Sequence, residues 1–203
     1  MAPVITKPHT INLPAPQKKG GLAVNKAFAE RRSCREYDST KELNLKTISN
    51  LLWSTCGINR PKEGLRTNPT GMNSQEIDVY WFDKTGVYLY DYKRHSLKEI
   101  AEGDFRHLLA GTPVFNQEFV MDAPCAVLFV VDSNKLPQEE NYEPMSLIDV
   151  GIAIGNLNLF CAGNGLSTIP RITMDEEGIR DVLHLPPSSH PAANSPIGYA
   201  KQP

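Results

Sequence analysis

The chain has no basic surplus, no paired cysteines and no uninterrupted apolar span. Its 21 Lys and Arg stand against 23 Asp and Glu, a net charge of −2. Broad nucleic-acid binding draws on a cationic surplus that displaces counterions, so any anion site here must be a local concentration of charge. Cys34, Cys56, Cys125 and Cys161 form no CxxC pair and no Cys/His spacing suited to zinc. They read as small buried thiols without a structural disulfide. Cys34 sits among arginines that would lower a thiol pKa, yet without a nearby histidine it reads as a spectator. The most apolar stretch, residues 146–166, carries Asp149, Asn156, Asn158 and Asn164, which suits a buried protein helix and argues against a membrane span. GxxxxGK[ST] and GxSxG are missing, and Gly163-Asn164-Gly165 follows a helical pattern where a dinucleotide loop would precede one. The five histidines form no HxxxH or ligand cluster; His107 fits a substrate entrance better than a catalytic role.

What is present is an ordinary globular composition, 40% apolar and 22% charged, over 203 residues. That suffices for one domain with a substantial core, and no repeat or Gly/Ser linker divides it. Residues 1–21, with four prolines and a Gly-Gly, read as a loose extended arm; residues 22–203 form the single domain. The arm lacks an apolar signal core, which points to the cytoplasm, or to the periplasm if a leader preceded it. Spacing predicts a helix over 25–32 with Asn25 as N-cap, and another over 45–56 stopped by Gly57. A loop over 59–70 leads to strands 77–82 and 86–90, joined as a hairpin at Asp83-Lys84-Thr85. Leu97, Ile100 and Ala101 suggest a short helix, followed by a turn over 105–109. The apolar run 126–131 reads as a strand buried on both faces. A long helix over 144–164 closes on Gly165; strand 167–171, helix 176–183 and strand 195–200 complete the chain. The hairpin favours an α+β fold, a central mixed or antiparallel sheet surrounded by helices, over a doubly wound parallel sheet.

Two segments carry chemistry. Arg31-Arg32-Ser33-Cys34-Arg35 packs three guanidiniums and a hydroxyl into five residues. Guanidinium forks match phosphate oxygens in a bidentate way and stay charged at any working pH. Pro69-Thr70-Gly71-Met72-Asn73-Ser74-Gln75 is a polar turn whose amides and hydroxyls suit the rim of a flat heterocycle. Gly151 and Gly155 open one face of the long helix to close backbone approach, and a helix this apolar all round is expected to be buried on every side. In a small domain a two-fold partner is one way to supply that cover, and packing within the monomer is the other.

In order along the chain, R-R-S-C-R-E-Y at 31–37, the helix exit around Gly57, the 66–75 loop, the glycine-bearing helix at 151–159, Gly165–Arg171 and Pro196–Lys201 resemble the FMN-dependent nitroreductase family. The resemblance spans about 170 residues and implies an intertwined homodimer with two shared sites. It implies FMN held by Arg31, Arg32, Ser33 and Arg35. Lys201 would assist at the phosphate, and Pro69, Thr70, Gly71, Met72 and Asn73 would reach in from the partner. Backbone around Pro170, Arg171 and Ile172 would face the ring. A cation near the pyrimidine edge makes the cofactor easier to reduce. The implied activity is a ping-pong exchange in which NAD(P)H reduces the flavin and the flavin reduces a nitroaromatic or quinone-like acceptor. No catalytic acid or base and no metal is expected, since the flavin carries the chemistry. Two alternatives stay open: a relative that oxidises a peptide or small-molecule intermediate, as the azoline-oxidising dehydrogenases do, and a non-enzymatic flavin-binding protein. Many family members carry a longer basic C-terminal tail; here Lys201 is the sole late cation.

Overall fold

In the computed structural model, which describes residues 9–137 and 143–202, the chain opens with β1 (Thr10–Asn12), α1 (Val24–Glu30), α2 (Leu45–Cys56), β2 (Ile58–Arg60) and β3 (Leu65–Arg66). Then come β4 (Ile77–Asp83), β5 (Gly86–Asp91), β6 (Ser96–Glu102), α3 (His107–Ala110) and β7 (Cys125–Asp132). The last elements are α4 (Glu143–Gly163), β8 (Ser167–Thr168), α5 (Glu176–Leu183) and β9 (Ser189–Gly198). A seven-stranded sheet runs β1-β6-β5-β4-β7-β9-β8, all neighbours antiparallel, while β2 and β3 form a separate hairpin. The α+β architecture is thus the expected one, in its antiparallel form.

β7 explains the layering. Val127, Phe129 and Val131 face one core with Leu51, Leu52, Val150 and Leu157 of α2 and α4. Their neighbours Ala126, Leu128 and Val130 face a second core with Leu109 of α3 and Ile179 and Leu183 of α5. Period-two alternation therefore delivers an apolar side chain to each face, and the strand is buried from Cys125 through Val131.

Four sequence expectations need correction. Leu97, Ile100 and Ala101 lie on strand β6, where a register shift opposite Val87 and Tyr88 leaves Ile100 as an extra residue. That bulge breaks the alternation and produces a false helical spacing. The residues expected to be loop at 59–70 include β2 and β3. α1 is capped by Ala23, not Asn25, and ends at Glu30, so the arginines lie beyond it in extended chain. Gly57 ends α2 with an extended backbone; glycine is needed because a Cβ would come within 2.6 Å of the Trp53 Cα. The described part of the N-terminal arm is pinned, not loose: β1 pairs with the sheet edge, and Ser49 Oγ donates to the Pro14 carbonyl at 2.5 Å. Among the described residues all four cysteines are free.

Within one chain α4 is covered on one side: Val150, Ala153, Leu157 and Cys161 face the core while Leu147, Ile148 (59% exposed) and Ile152 face outward. A Cβ added at Gly151 or Gly155 would meet nothing. Pro144–Gly163 is long and apolar enough to cross a membrane by length and composition alone, and 33% of that window is buried in the chain.

Near its start α4 grips the 70–75 loop. The Gly71 N–H donates to Asp149 Oδ2 at 2.7 Å, and Ser74 Oγ donates to Glu76 Oε2 at 2.6 Å. Glu76 is fully buried, and its Oε1 has no donor among the described residues. Burial raises its carboxyl above the ordinary value of 4.5, and neighbouring Asp149 adds to the rise. A raised folded-state value means the native state holds its proton more tightly, so this stability is full below the ordinary glutamate range and is lost as pH rises through the raised value. Glu76→Gln removes that titration. Denaturant midpoints compared between about pH 5 and about pH 8 should show the variant gaining on the parent as pH rises; an unchanged difference would mean Glu76 keeps its charge in the folded protein.

Candidate functional site

Backbone pairing builds the site. Beyond α1 the chain extends, and Ser33 bridges to Thr168 in parallel while the Cys34 N–H donates to the Thr168 carbonyl at 3.2 Å. Four residues on, Tyr37 pairs with Ala200, and the Lys201 N–H donates to the Glu36 carbonyl at 3.1 Å. The buried Tyr37 hydroxyl reaches the Cys34 and Pro196 carbonyls at 3.0 and 3.2 Å. Segments distant in sequence thus become three adjacent strands of chain.

The zipper separates the expected cations into two clefts. Arg31 and Arg32 line one of about 510 Å³ with Glu30, Asn158, Ser167 and Thr168. Arg35 and Lys201 line another of about 690 Å³ with Tyr37, Asp38, Thr40 and Asp122. Lys201 is therefore Arg35's companion and does not share Arg32's cleft. Ser33 itself is exposed between them. Arg31, Arg32, Arg35 and Lys201 make no ion pair among the described residues, so their charge is available to a ligand. In the first cleft Asn158 Oδ1 is buried without a donor. A buried unpaired acceptor beside guanidiniums free of ion pairs is a donor and acceptor set suited to an anionic ligand that also carries a hydrogen-bond donor.

Pro69, Thr70, Gly71, Met72 and Asn73 are not part of this cluster within one chain. Gly71 is held at Asp149, whereas the arginine cleft meets the same helix at Asn158. Those positions are nine residues apart on α4, about 14 Å along its axis. The loop is nonetheless tightly set. Met72, Asn73 and Gln75 all take left-handed backbone angles, φ 53°, 55° and 50°, a conformation that costs non-glycine residues energy and gathers at ligand sites. The Gln75 N–H donates to Thr70 Oγ1 at 3.0 Å, and Met72 lies open to solvent. Next to Pro69, Asn68 is buried with both side-chain polar atoms unpaired.

In the third expected segment Pro170 and Ile172 are exposed, but Arg171 turns inward, 7% exposed. Its N–H and carbonyl pair with Asn194 at 2.8 and 2.7 Å. Its guanidinium donates to the carbonyls of Leu109 and Ala110, to Asn194 Oδ1 and to Gln117 Oε1. Burial pulls its pKa down to about 10. Its groups serve the protein interior, and in this segment only Pro170 and Ile172 are open to solvent.

Sequence reading passed over Asn158, Ser167, Thr168 and Asn68. Asn158 carried a signal, a polar residue in an otherwise apolar helix, but was counted only as evidence against a membrane span. Ser167 and Thr168 fell inside a strand whose neighbour, the arginine segment, is set by pairing that no local pattern reveals.

This arrangement matches known proteins. Residues 28–199 fit the nitroreductase family. A Ralstonia eutropha protein described as a nitroreductase superposes with a TM-score of 0.87 at 28% identity, covering 99% of this chain and 97% of that one. A nitroreductase family protein from Clostridium difficile gives 0.62 at 18% identity, covering 90% and 86%. A chain of the Escherichia coli microcin synthetase complex gives 0.72 at 18% identity, covering 93% and 77%. No curated protein matches the sequence. With the motifs, the α+β fold and this match over most of its length in agreement, the chain belongs to the nitroreductase family.

Proposed function

We propose that the chain is an FMN-dependent oxidoreductase acting as a homodimer with shared sites. The observation that supports this most is the cleft where free Arg31 and Arg32 meet the orphaned Asn158 acceptor. Arg31 and Arg32 would hold the FMN phosphate, with Ser33 and the Ser167 and Thr168 hydroxyls close by. Asn158 would accept a hydrogen bond from the ligand. Arg35 and Lys201 would supply positive charge in the adjoining cleft. Bound flavin supplies hydride uptake from NADH or NADPH and then electron delivery to a nitroaromatic or quinone-like acceptor, in ping-pong order. The chain's own work is to bind, orient and exclude water.

The geometry of α4 supports the dimer reading. Its outward stripe of Ile148, Gly151, Ile152 and Gly155 lies near the middle of the helix. A two-fold partner crossing there, with the two helices antiparallel, would bring opposite ends of the two rods together. Pro69, Thr70, Gly71, Met72 and Asn73 of one protomer would then stand at the arginine cleft of the other.

An absorption spectrum of the purified protein before and after anaerobic NAD(P)H tests the reading: flavin bands that bleach support it. Flavin that stays oxidised would shift weight to oxidation of a peptide intermediate, the reading favoured by the microcin synthetase likeness, or to a binding protein without turnover. No flavin after FMN is added back would sink the site. Arg32→Ala should weaken FMN binding roughly 10- to 100-fold, the loss of a charged hydrogen-bond set worth about 1.5–3 kcal/mol, read by fluorescence titration. Ile148→Glu would bury an unpaired charge in the dimer, costing about 3–5 kcal/mol. Light scattering should report monomer with reduced flavin; an intact dimer would move the interface elsewhere.

A further inference from the structure

Between β6 and β7 the chain makes a long excursion, residues 103–124, and two buried arginines hold it. Arg106 closes its base: the guanidinium grips Asp104 at 2.6 and 2.9 Å and donates to the Ala123 carbonyl at 2.6 Å. Arg171 holds its middle. It reaches in from the Pro170–Ile172 segment and takes the Leu109 and Ala110 carbonyls, at the C-terminal end of α3, at 2.5 and 3.0 Å. Its Nε donates to Gln117 Oε1 at 2.7 Å, and its guanidinium lies 5.5 Å from the Phe119 ring centre. The two loop positions it holds also bind each other, since the Gln117 N–H donates to the Ala110 carbonyl at 2.9 Å.

These contacts fasten both feet of one tight turn. Gly111 bridges to Asn116, and the Thr112 N–H donates to the Phe115 carbonyl at 3.0 Å. Gly111 has φ 143°, and a Cβ there would run into the Phe115 carbonyl. At the tip Val114 is 96% and Phe115 58% exposed; across the clamp Ile172, next to Arg171, is 81% exposed. The Arg171 fork, bonded to Gln117 at the foot of this turn, is what ties Ile172's segment to it. The far end of the excursion reaches the Arg35 and Lys201 cleft through Asp122.

We propose that Arg171 is a positioning residue: through Gln117 and the α3 carbonyls it fixes the Val114–Phe115 turn relative to Ile172, so that these apolar groups form the walls against which a flat acceptor lies. The proposal rests on the oxidoreductase reading above. Arg171 touches neither flavin nor acceptor; it sets the distance between elements that meet the acceptor. The buried fork suits this task, because one planar group serves four partners in fixed directions.

The test uses full-length holoenzyme. Gln117→Leu removes the turn-side partner while leaving Arg171 its carbonyls, and Gln117→Glu keeps an acceptor for Nε. In Gln117→Leu, amide exchange across residues 112–117 and the KM for menadione should each rise roughly tenfold, the effect of one lost charge-assisted hydrogen bond. FMN affinity and the anaerobic rate of bleaching by NADH should stay within about twofold. Gln117→Glu should restore both exchange and KM. Arg171→Met should exceed Gln117→Leu in the same readouts if it folds; the glutamine pair decides the matter if it does not. Unchanged exchange in Gln117→Leu, faster exchange with unchanged menadione KM, or failure of Gln117→Glu to restore them would overturn the proposal. A parent protein that binds no flavin would remove the oxidoreductase reading, and the exchange comparison would still judge the clamp.

Discussion

The pairing of Ser33–Tyr37 with Thr168 and Ala200 is the constraint on which the site depends. It consists of a few backbone hydrogen bonds backed by one buried tyrosine. Each is modest, since a net protein hydrogen bond contributes about 1 kcal/mol. Their effect is geometric. They place the arginine segment along the end of α4, with Arg31 and Arg32 in one cleft and Arg35, on the far side of the Ser33–Thr168 bridge, in the other. Charge alone could not do this: without an acidic partner, guanidiniums would spread apart. A backbone clamp holds like charges together and leaves them for an anion.

α4 imposes the second constraint, through rigidity. A helix is a rod of fixed rise, so features at its two ends cannot meet within one chain. Gly71 is fixed at Asp149 and the arginine cleft at Asn158. The same helix presents an open apolar stripe midway. Buried Glu76 and Asp149 sit where loop and helix join, and loop strain at Met72, Asn73 and Gln75 persists because the carboxyl groups and Thr70 over-determine it.

Much of this was legible in the sequence wherever a local pattern decided the outcome. β7 declared itself because a continuous apolar run serves two cores, and α5 because Asp175 caps it and His184 ends it. Where tertiary contacts decided, local reading failed. β6 looked helical because a bulge shifted Ile100 out of phase. β9 is longer than expected since Pro191 and Pro196, which discourage a strand, are accommodated at a register shift and in the ladder. The arginines were legible as a local concentration of charge by composition, but their division into two clefts was not, because it depends on partners more than 130 residues away. Arg171 was misleading for a related reason. A basic residue beside an expected ligand loop suggests a ligand contact, whereas burial and five hydrogen bonds from its guanidinium and backbone N–H commit it to the interior.

On the proposed reading, cofactor binding and assembly are thermodynamically one process. If the 69–73 loop reaches flavin only from the partner, FMN prefers the dimer, and by linkage the dimer is stabilised by FMN to the extent of that preference. The open stripe on α4 then has two stabilising contributions: apolar burial, which acts in any state, and ligand contacts, which act only when the site is filled. Clamped Ser33–Tyr37 lets the site keep its form without ligand, since the arginines are held by backbone and not by the anion they await. Preorganisation of that kind lowers the entropic cost of binding.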